Sequence, residues 1–394
     1  MCSNMMDEAT RRFVKDNLEA DVRSLALKKT SSEVDLPMAL QQIEARQLLR
    51  KKVPSWSEND DLLFPVHLSI EQCSSEATAL YKADLAKGGV FADLTGGLGV
   101  DCHFISKNFA ETHYVEMNPG LCAIASHNFA VLQHPVKVWN EDAEHFLEHC
   151  GAVDCIFIDP ARRDQYGRKT VSISDCTPDV VRLQDVLLEK SEKVMIKLSP
   201  MLDIAHALTE LKHVREVHVL SVANECKELL LVLERGYEGP VSYCCANLLS
   251  PQPILQFSQE EEREASLSIS DGVGAYLYEP NASIMKGGFF KSLSVKTKTR
   301  KLHKNSNLYT SDVLVDDFPG RIFQVEGWDR YNKKLKQTLL ADVDRASVAV
   351  RNFPLTVAEL RKTLKIADGD EIYLFATTLK GEEKVLIKTK KIIC

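Results

Sequence analysis

Residues 88–101 read GGVFADLTGGLGVD, an apolar run that ends in Asp93 and passes directly into a glycine-rich turn. An apolar strand followed by such a turn is typical of the first strand and phosphate-side loop of a nucleotide-binding α/β domain. The dinucleotide fingerprint G-x-G-x-x-G begins at Gly97 and Gly99 but fails at its third glycine, where the chain has Cys102. The pattern present is acid-x-x-x-Gly-x-Gly, formed by Asp93, Gly97 and Gly99, and it differs from the dinucleotide fingerprint.

Apolar runs and helix-like stretches alternate regularly after this turn. The predicted strands are 90–94, 112–116, 136–140, 154–159 and 193–197, and helices are predicted over 119–131 and 178–189. This β-α order predicts a parallel, doubly wound sheet. The last two predicted strands, 214–221 and 227–233, are joined by a short turn and must be antiparallel. The sequence thus predicts a parallel sheet that ends in an antiparallel hairpin.

Carboxylates stand at four successive strand ends of this predicted sheet. They are Asp93, Glu116, Asp142 and Asp159. Ligands of open α/β sheets bind beyond the carboxyl ends of the strands, and a carboxylate there can accept both hydroxyls of a ribose. Each acid also has a structural alternative, since Asp142 can cap the helix that follows it and Glu116 can be a solvated loop acid. Four matches together favour a ligand site.

The spacing of Asp93, Gly97 and Gly99 resembles the first motif of class I S-adenosylmethionine-dependent methyltransferases. The segments SIEQCSSEATALYKADL, DLTGGLGVD, YVEMNPGL and IDPARR together resemble a Bacteroidetes group of uncharacterised methyltransferases. That group carries a ferredoxin-like domain and a C-terminal THUMP-like domain. The resemblance implies a Rossmann-like, seven-stranded methyltransferase sheet that is parallel with a terminal antiparallel hairpin, an N-terminal helical region and small α+β C-terminal domains.

The resemblance also implies S-adenosyl-L-methionine as the cofactor and a set of residues that hold it. Glu71 and Gln72 occupy the loop that in such enzymes closes over the methionine end of the cofactor, although helix capping explains this loop equally well. The predicted cofactor-binding residues are Gln72, Asp93, Thr95, Gly96, Gly97, Gly99, Glu116, Met117, Asp142 and Ala143.

The reactive position is predicted in the segment 159–163, DPARR. It resembles the motif of amino-methyltransferases that act on bases, in which an acid or amide and the next backbone carbonyl accept hydrogen bonds from an exocyclic amine. The chain departs from that motif, because Ala161 replaces a proline and Arg162 stands where an aromatic residue is expected. The arginines can stack on a base, hold a phosphate or form structural salt bridges. The predicted catalytic residues are Asp159, Pro160 and Arg162, and the predicted substrate-binding residues nearby are Arg163 and Tyr166.

The C-terminal part of the chain is basic. Residues 281–394 contain 22 Lys and Arg against 13 Asp and Glu, a net charge of +9, while the whole chain carries −7. Seven basic residues and no acid lie between 286 and 304, with Phe289, Phe290 and Tyr309 interleaved or adjacent. Such a stretch can bind phosphates and stack bases, or it can be a solvated face over core aromatics. Lys286, Lys291, Lys298 and Arg300 are predicted to bind RNA, most plausibly tRNA, as the THUMP-like resemblance implies.

Length and composition set further bounds. The 394 residues exceed one ordinary core, so several domains are expected. The expected domains are an N-terminal helical region at 1–68, the S-adenosylmethionine-binding domain at 69–237, a linker with the ferredoxin-like basic domain at 238–325, and the THUMP-like domain at 326–394. The N-terminus lacks an apolar signal core and no apolar run spans a bilayer, which favours a cytoplasmic protein without membrane contact.

The 11 cysteines form no C-x-x-C pair, so they are interpreted as reduced core thiols, and no metal site is expected. No obligate protein partner is inferred. The leading hypothesis is an enzyme of class EC 2.1.1.-, an S-adenosylmethionine-dependent methyltransferase that modifies a base, with an exocyclic amine favoured, in RNA. The alternatives are a non-catalytic RNA-binding protein that retains the fold, and a methyltransferase of small molecules or proteins.

Overall fold

A computed structural model describes residues 6–27, 29–162, 173–332 and 334–392. The chain divides into two compact units, one formed by 1–215 and 230–239 and the other by 216–229 and 240–394. No helix in the described ranges is long and apolar enough to cross a membrane.

The N-terminal half of the chain alternates helices and strands. The helices are α1 (Glu8–Asp16), α2 (Val22–Ala26), α3 (Leu36–Lys52), α4 (Pro54–Ser57), α5 (His67–Gln72), α6 (Glu76–Ala83), α7 (Val100–Ile105), α8 (Pro119–Val131), α9 (Ala143–His149), α10 (Val180–Lys190) and α11 (Ile204–Glu210). The strands are β1 (Gly88–Asp93), β2 (Phe109–Val115), β3 (Lys137–Trp139), β4 (Val153–Ile158), β5 (Ala161–Arg162), β6 (Cys176–Thr177), β7 (Ser191–Leu198), β8 (Val214–Val222) and β9 (Glu225–Glu234).

The C-terminal half is richer in strands. Its strands are β10 (Ser242–Leu248), β11 (Leu255–Ser258), β12 (Tyr276–Pro280), β13 (Arg300–His303), β14 (Ser306–Ser311), β15 (Gly320–Arg330), β16 (Ser347–Val350), β17 (Ile372–Thr378) and β18 (Lys384–Ile392). Its helices are α12 (Gln259–Glu264), α13 (Ala282–Gly287), α14 (Phe290–Thr297) and α15 (Val357–Leu364).

The large sheet has nine strands in the order β11-β10-β8-β9-β7-β4-β1-β2-β3. Its strands β3, β2, β1, β4 and β7 pair in parallel, which confirms the predicted doubly wound core. Strands β8 and β9 follow as the predicted hairpin, joined by Ala223 and Asn224, which both have positive φ. The prediction of seven strands omitted β10 and β11, which extend the edge beyond β8, β10 pairing in parallel with β8 and β11 antiparallel to β10.

Buried aromatic and aliphatic side chains fix the central strands. Phe91 of β1, Tyr114 of β2, Phe157 of β4 and Met195 of β7 all belong to one fully buried cluster, which also includes Phe129 of α8. These strands consist of nearly continuous apolar runs with few polar residues. Such runs are typical of parallel strands, since both faces of a parallel sheet are buried. The sheet therefore holds the carboxyl ends of β1, β2 and β4 in fixed register.

The N-terminal helical region differs from the sequence prediction. The amphipathic pattern of residues 7–29 predicts one helix, but α1 ends at Asp16 and α2 begins after Asp21. Asp21 caps the second helix by accepting a hydrogen bond from the Ser24 backbone N–H at 2.8 Å. An Asp inside a helical pattern is a start signal as well as a surface residue, and here its capping function takes precedence.

A second sheet has seven strands in the order β13-β14-β12-β15-β18-β17-β16. Its pairs are antiparallel except for β16 and β17, which are parallel and connected through α15. The sequence pattern predicts a β-α-β-β order here, with strands over 346–350, 371–376 and 384–387 and a helix over 356–364, and β16, α15, β17 and β18 follow that order. Strand β15 is continuous across the expected domain boundary between 325 and 326, with an irregular register between Val325 and Gly327.

Candidate active site

The turn between β1 and α7 is shaped by its glycines. Gly97 and Gly99 have φ of +55° and +87°, a region in which a side chain is strained. A Cβ atom on Gly96 would lie 2.1 Å from the ring of Tyr114, so no larger residue fits there. The Tyr114 hydroxyl donates to the Gly97 carbonyl at 2.6 Å and holds the turn against β2. The result is a bare backbone cradle at the carboxyl end of β1.

The carboxylate of Glu116 faces this cradle from the end of β2. It accepts hydrogen bonds from the backbone N–H of Gly97 at 3.0 Å and of Asn118 at 2.8 Å. Two backbone donors fix the direction of the carboxylate, and an ionised carboxylate offers about four lone pairs in total. Acceptor capacity thus remains for a pair of ligand hydroxyls.

Asp93 is almost completely buried, with 1% of its surface exposed. Burial raises its pKa well above the usual value, and the charges of Asp101, Asp159 and Glu116 add to this, while the Thr95 backbone N–H, which donates to Asp93 at 3.0 Å, opposes it. Four acids thus surround one turn. Because burial favours the neutral form of Asp93, the negative charge beside the turn comes from the acids around it.

Thr95 links this turn to the end of β4. Its hydroxyl accepts a hydrogen bond from the Asp159 backbone N–H at 2.7 Å. Asp159 therefore follows β4 at a position fixed by the β1 turn, and 34% of its side chain is exposed. Pro160, the next residue, is buried.

The other predicted cofactor residues differ in their hydrogen bonds and in their exposure. Asp142 caps α9 by accepting from the His145 N–H at 2.9 Å, which is the structural alternative noted for it, and its neighbour Ala143 is buried. Met117 is exposed, whereas Gln72 ends α5 and is also exposed. Arg162 belongs to β5, but its side chain, like the whole of Arg163 and Tyr166, lies outside the described residues. Their roles stay predictions.

A network of buried charges behind Asp159 was missed by the sequence analysis. The Asp159 carboxylate lies 2.5 Å from the ammonium of Lys197, which is 4.0 Å from the Asp101 carboxylate. Asp101 in turn pairs with Lys82 at 2.7 Å and accepts from the Ser74 hydroxyl at 2.6 Å. Lys82 is fully buried and also donates to Ser74 at 2.9 Å.

The charges in this network compensate one another. Burial works to raise the pKa of Asp101, but Lys82 and Lys197 outweigh it and hold that pKa below its usual value. Two signals in the sequence could have revealed the network. Lys197 interrupts the apolar run of its strand, and Asp101 stands two residues after the last glycine of the turn, in a helix with the sequence VDCHFI. Charges at such positions need buried partners.

The basic stretch lies in the second unit, where some of its basic side chains have partners. Lys291 donates to the Arg263 carbonyl, while Lys296 pairs with Glu261 and Arg300 pairs with Asp312. Lys286 is half-buried on α13, and Lys298 is exposed at the end of α14. Acidic residues of α12 and the loop before β15 therefore offset part of the positive charge.

The aromatic residues of this stretch serve the core. Phe289 is buried and stacks on Phe257 with ring centroids 4.9 Å apart, and Tyr309 is fully buried. Lys301 is buried beside Phe290 and Tyr309, and this burial lowers its pKa. Phe289 and Tyr309 thus match the alternative of core aromatics under a charged face, since neither offers a ring to an unpaired base.

Comparisons with known proteins concern both the C-terminal part and the chain as a whole. Residues 276–319 match a family of ferredoxin-like domains, and residues 320–391 match a THUMP domain-like family. Over 99% of its length the chain is similar to the crystal structure of a candidate methyltransferase from Porphyromonas gingivalis W83, with 33% sequence identity, a TM-score of 0.86 and coverage of 100% of that chain. An S-adenosylmethionine-dependent methyltransferase of Mycobacterium tuberculosis, named as uncharacterised, is 22% identical over 79% of this chain and 83% of its own length.

Proposed function

Since the chain belongs to the family of S-adenosylmethionine-dependent methyltransferases with a ferredoxin-like and a THUMP-like domain, we propose that it methylates an exocyclic amine of a base in RNA, most plausibly tRNA. The observation that carries this proposal is the Asp159 carboxylate. It follows β4 beside the glycine turn, it is partly exposed, and an internal lysine holds it in position.

The residues around the turn fit the cofactor. The backbone at Gly97 leaves room for the methionine part, since a Cβ atom there would meet only the Thr95 carbonyl oxygen, at 3.8 Å. The Glu116 carboxylate can accept the two ribose hydroxyls. Glu116 and Asp159 supply negative charge for the ammonium and the sulfonium, and Asp93 lines the turn as a buried acid whose pKa is raised. Thr95, Gly99, Met117, Asp142 and Ala143 complete the proposed lining, with Asp142 near the adenine amino group and Gln72 at the methionine end.

S-Adenosylmethionine, when bound, supplies an electrophilic methyl group on a sulfonium. Asp159 and the backbone carbonyl of Pro160 would accept the two N–H groups of a base amine and turn its lone pair toward the methyl group. As the nitrogen gains the methyl group it gives up one proton, and the Asp159 carboxylate is the acceptor that passes it to solvent. Most of the catalysis then comes from positioning, which is worth several powers of ten in rate when reacting atoms are held in line.

Lys197 acts as a positioning residue in this proposal. Its ammonium holds Oδ2 of Asp159 at 2.5 Å, so that the carboxylate keeps one orientation. Asp101, itself anchored by Lys82 and Ser74, holds the lysine from behind. Arg162 would contact the substrate by stacking on a base or gripping a phosphate, and Arg163 and Tyr166 would assist.

The RNA substrate is supported by the THUMP-like match and by the positive charge of the last third of the chain. The proposed phosphate contacts are Lys286, Lys291, Lys298 and Arg300. Exposed Lys298 is the strongest of them, because its neighbours Lys296 and Arg300 are paired with acids. Lys298→Glu should weaken RNA binding and reduce its salt dependence, since each phosphate contact contributes about −0.7 to the slope of log affinity against log salt for single strands.

The test is transfer of labelled methyl groups from S-adenosylmethionine to total RNA from cells that lack this gene, followed by nucleoside analysis. A methylated base amine supports the proposal, while label on ribose or on a ring carbon contradicts the amine mechanism. RNA binding without transfer would indicate the non-catalytic alternative, and label only in protein or small molecules the third hypothesis.

Two variants separate the roles of the site. Asp159→Ala should bind the cofactor normally and lose turnover on the order of 100-fold, as loss of one positioning contact does. Arg162→Ala should weaken use of the RNA instead. Asp185→Asn is a matched control, because Asp185 is an exposed acid that contacts Lys212 at 3.6 Å. Wild-type turnover by Asp159→Ala would move the active site elsewhere.

A further inference from the structure

Three potential metal ligands lie close together beside α9: Glu141, just before the helix, and His145 and His149 within it. The Glu141 carboxylate lies 2.6 Å from Nδ1 of His145 and 3.1 Å from Nε2 of His149. One ligand atom from each of the three residues can be chosen so that all lie within 4.8 Å of one another. The two histidines are four residues apart and therefore share one face of the helix.

The spacing of these atoms suits a first-row transition metal. Four ligands at about 2.1 Å from a tetrahedral zinc ion lie about 3.4 Å from each other. The two carboxylate–imidazole separations need to widen by only about 0.3–0.8 Å to reach that value. Side-chain rotation suffices for this change, because 62% of the His145 side chain and 43% of the His149 side chain are exposed.

The backbone on both sides of Glu141 is already held in place. Asn140 donates to the carbonyls of Glu116 and Met117 at 2.9 and 3.0 Å. On the other side, the Asp142 cap fixes the first turn of α9. Only 15% of the Glu141 side chain is exposed, so its carboxylate has little freedom to turn away.

Aromatic neighbours orient the second imidazole. The His149 ring centroid lies 5.8 Å from that of Trp139 and 5.6 Å from that of Phe146. A ligand set in which two members are ordered in advance loses less conformational entropy when a metal binds. Because Glu141 and His149 are held in position, they should bind a metal ion more tightly than freely rotating surface side chains would.

We propose that Glu141, His145 and His149 bind one divalent transition-metal ion of the zinc or nickel type. Two neutral imidazoles and one carboxylate are a ligand set that these ions prefer, whereas calcium and magnesium prefer oxygen ligands alone. Three protein ligands leave at least one coordination position for water. The sequence analysis expected no metal. Two histidines four residues apart do not by themselves indicate a metal site, and only the structure shows that the Glu141 carboxylate contacts both of them.

Other histidine–carboxylate contacts in the described ranges are less complete. His206 and Glu210 of α11 also stand four residues apart, with 3.6 Å between Nε2 and the carboxylate, but the described residues bring no third ligand to them. His206→Ala is therefore a matched control, since it removes an exposed histidine from a helical pair without touching the proposed site.

The test uses the full chain without a histidine tag, stripped of metal, and titrated with Ni²⁺ by calorimetry. One strong equivalent is expected. His145→Ala and His149→Ala should each weaken it by more than about tenfold, because even residues that only support a ligand contribute about 10–100-fold to metal affinity. His206→Ala should bind Ni²⁺ as the wild type does. Unchanged affinity in both histidine variants, or no strong equivalent in the wild type, would overturn the proposal.

A Co²⁺ spectrum distinguishes this site from binding by the many cysteines. Imidazole and carboxylate ligands give d–d bands without the intense thiolate-to-cobalt charge-transfer band. Glu141→Gln, which keeps the shape of the side chain, should lose the d–d bands while its melting temperature without metal stays near that of the wild type. A charge-transfer band of full intensity in all variants would assign the metal to cysteines and refute the site. None of these readouts depends on methyl transfer, so the outcome is independent of the proposed function.

Discussion

Replacing Lys197 by methionine is the most direct test of how the buried charges serve the proposed reaction. The substitution keeps the length of the side chain but removes the ammonium that lies 2.5 Å from the Asp159 carboxylate. A hydrogen bond to a charged group contributes about 1.5–3 kcal/mol. If the lost contact stabilises the transition state by this amount, turnover falls about 10- to 150-fold, because 1.36 kcal/mol of activation free energy corresponds to a factor of ten.

The fold should tolerate this change. Asp101 keeps Lys82 at 2.7 Å and loses only the more distant lysine at 4.0 Å. Cofactor affinity should change less than about threefold, since Lys197 is assigned to the orientation of Asp159 and not to the ligand. A fall in kcat without a matching change in cofactor Kd is the signature of an interaction made mainly in the transition state.

The assay is single-turnover methyl transfer to unmodified RNA, measured beside calorimetric titration of the cofactor. Lys193→Met is the matched control, because Lys193 lies on the same strand and donates to the Leu85 carbonyl at 2.7 Å, away from Asp159. Wild-type turnover in Lys197→Met would refute the positioning role. Equal losses of turnover and cofactor affinity would show that Lys197 supports the cofactor site instead.

Three further predictions concern the same unit. Glu116→Gln should weaken cofactor binding by about 1–3 kcal/mol in calorimetry, because a charged acceptor is lost, and an unchanged Kd would contradict its assignment to the ribose. Lys82→Met should lower the free energy of unfolding in urea by about 3–5 kcal/mol, because Asp101 loses its partner. Adding Asp101→Leu should recover most of this loss, since the buried carboxylate is then removed as well. A double variant as unstable as the single one would disprove this account. Because burial raises the pKa of Asp93 above 3.8, the folded protein retains a proton that the unfolded chain releases, so this residue costs stability increasingly as the pH rises from about 4. Asp93→Asn should therefore gain stability over the wild type at pH 7 relative to pH 4 in thermal unfolding, and a constant difference would exclude the effect.

The central sheet could be predicted because its signals are local. The apolar run before Asp93, the glycines after it and Pro119 at the start of α8 each act within a few residues. The helix predicted over 119–131 has the observed bounds, and the hairpin of β8 and β9 was recognised from its short turn. Strands β10 and β11 were left in a linker region because prolines and polar residues around them hide a short edge strand.

The ion-pair network could not be predicted in the same way. Lys82 and Lys197 are 115 positions apart in the sequence, and only the folded chain brings both to Asp101. A lysine in a helical pattern is normally solvated, so nothing local marks Lys82 as fully buried. The same reasoning explains why Phe289 and Tyr309 were open to two interpretations, since a sequence does not tell which side of an aromatic residue is covered.

The balance of charge at the turn also gives the proposed site a preference between cofactor and product. Lys197 compensates chiefly Asp159 and Asp101, whereas Glu116 accepts only backbone N–H groups among the described residues. Asp93 adds little charge, because its burial raises its pKa. An excess of negative charge therefore remains toward the ligand. The sulfonium of S-adenosylmethionine carries a positive charge that the thioether product lacks, so the attraction that favours binding before the reaction is reduced after it. Negative charge around the glycine turn thus assists both loading of the cofactor and release of the product.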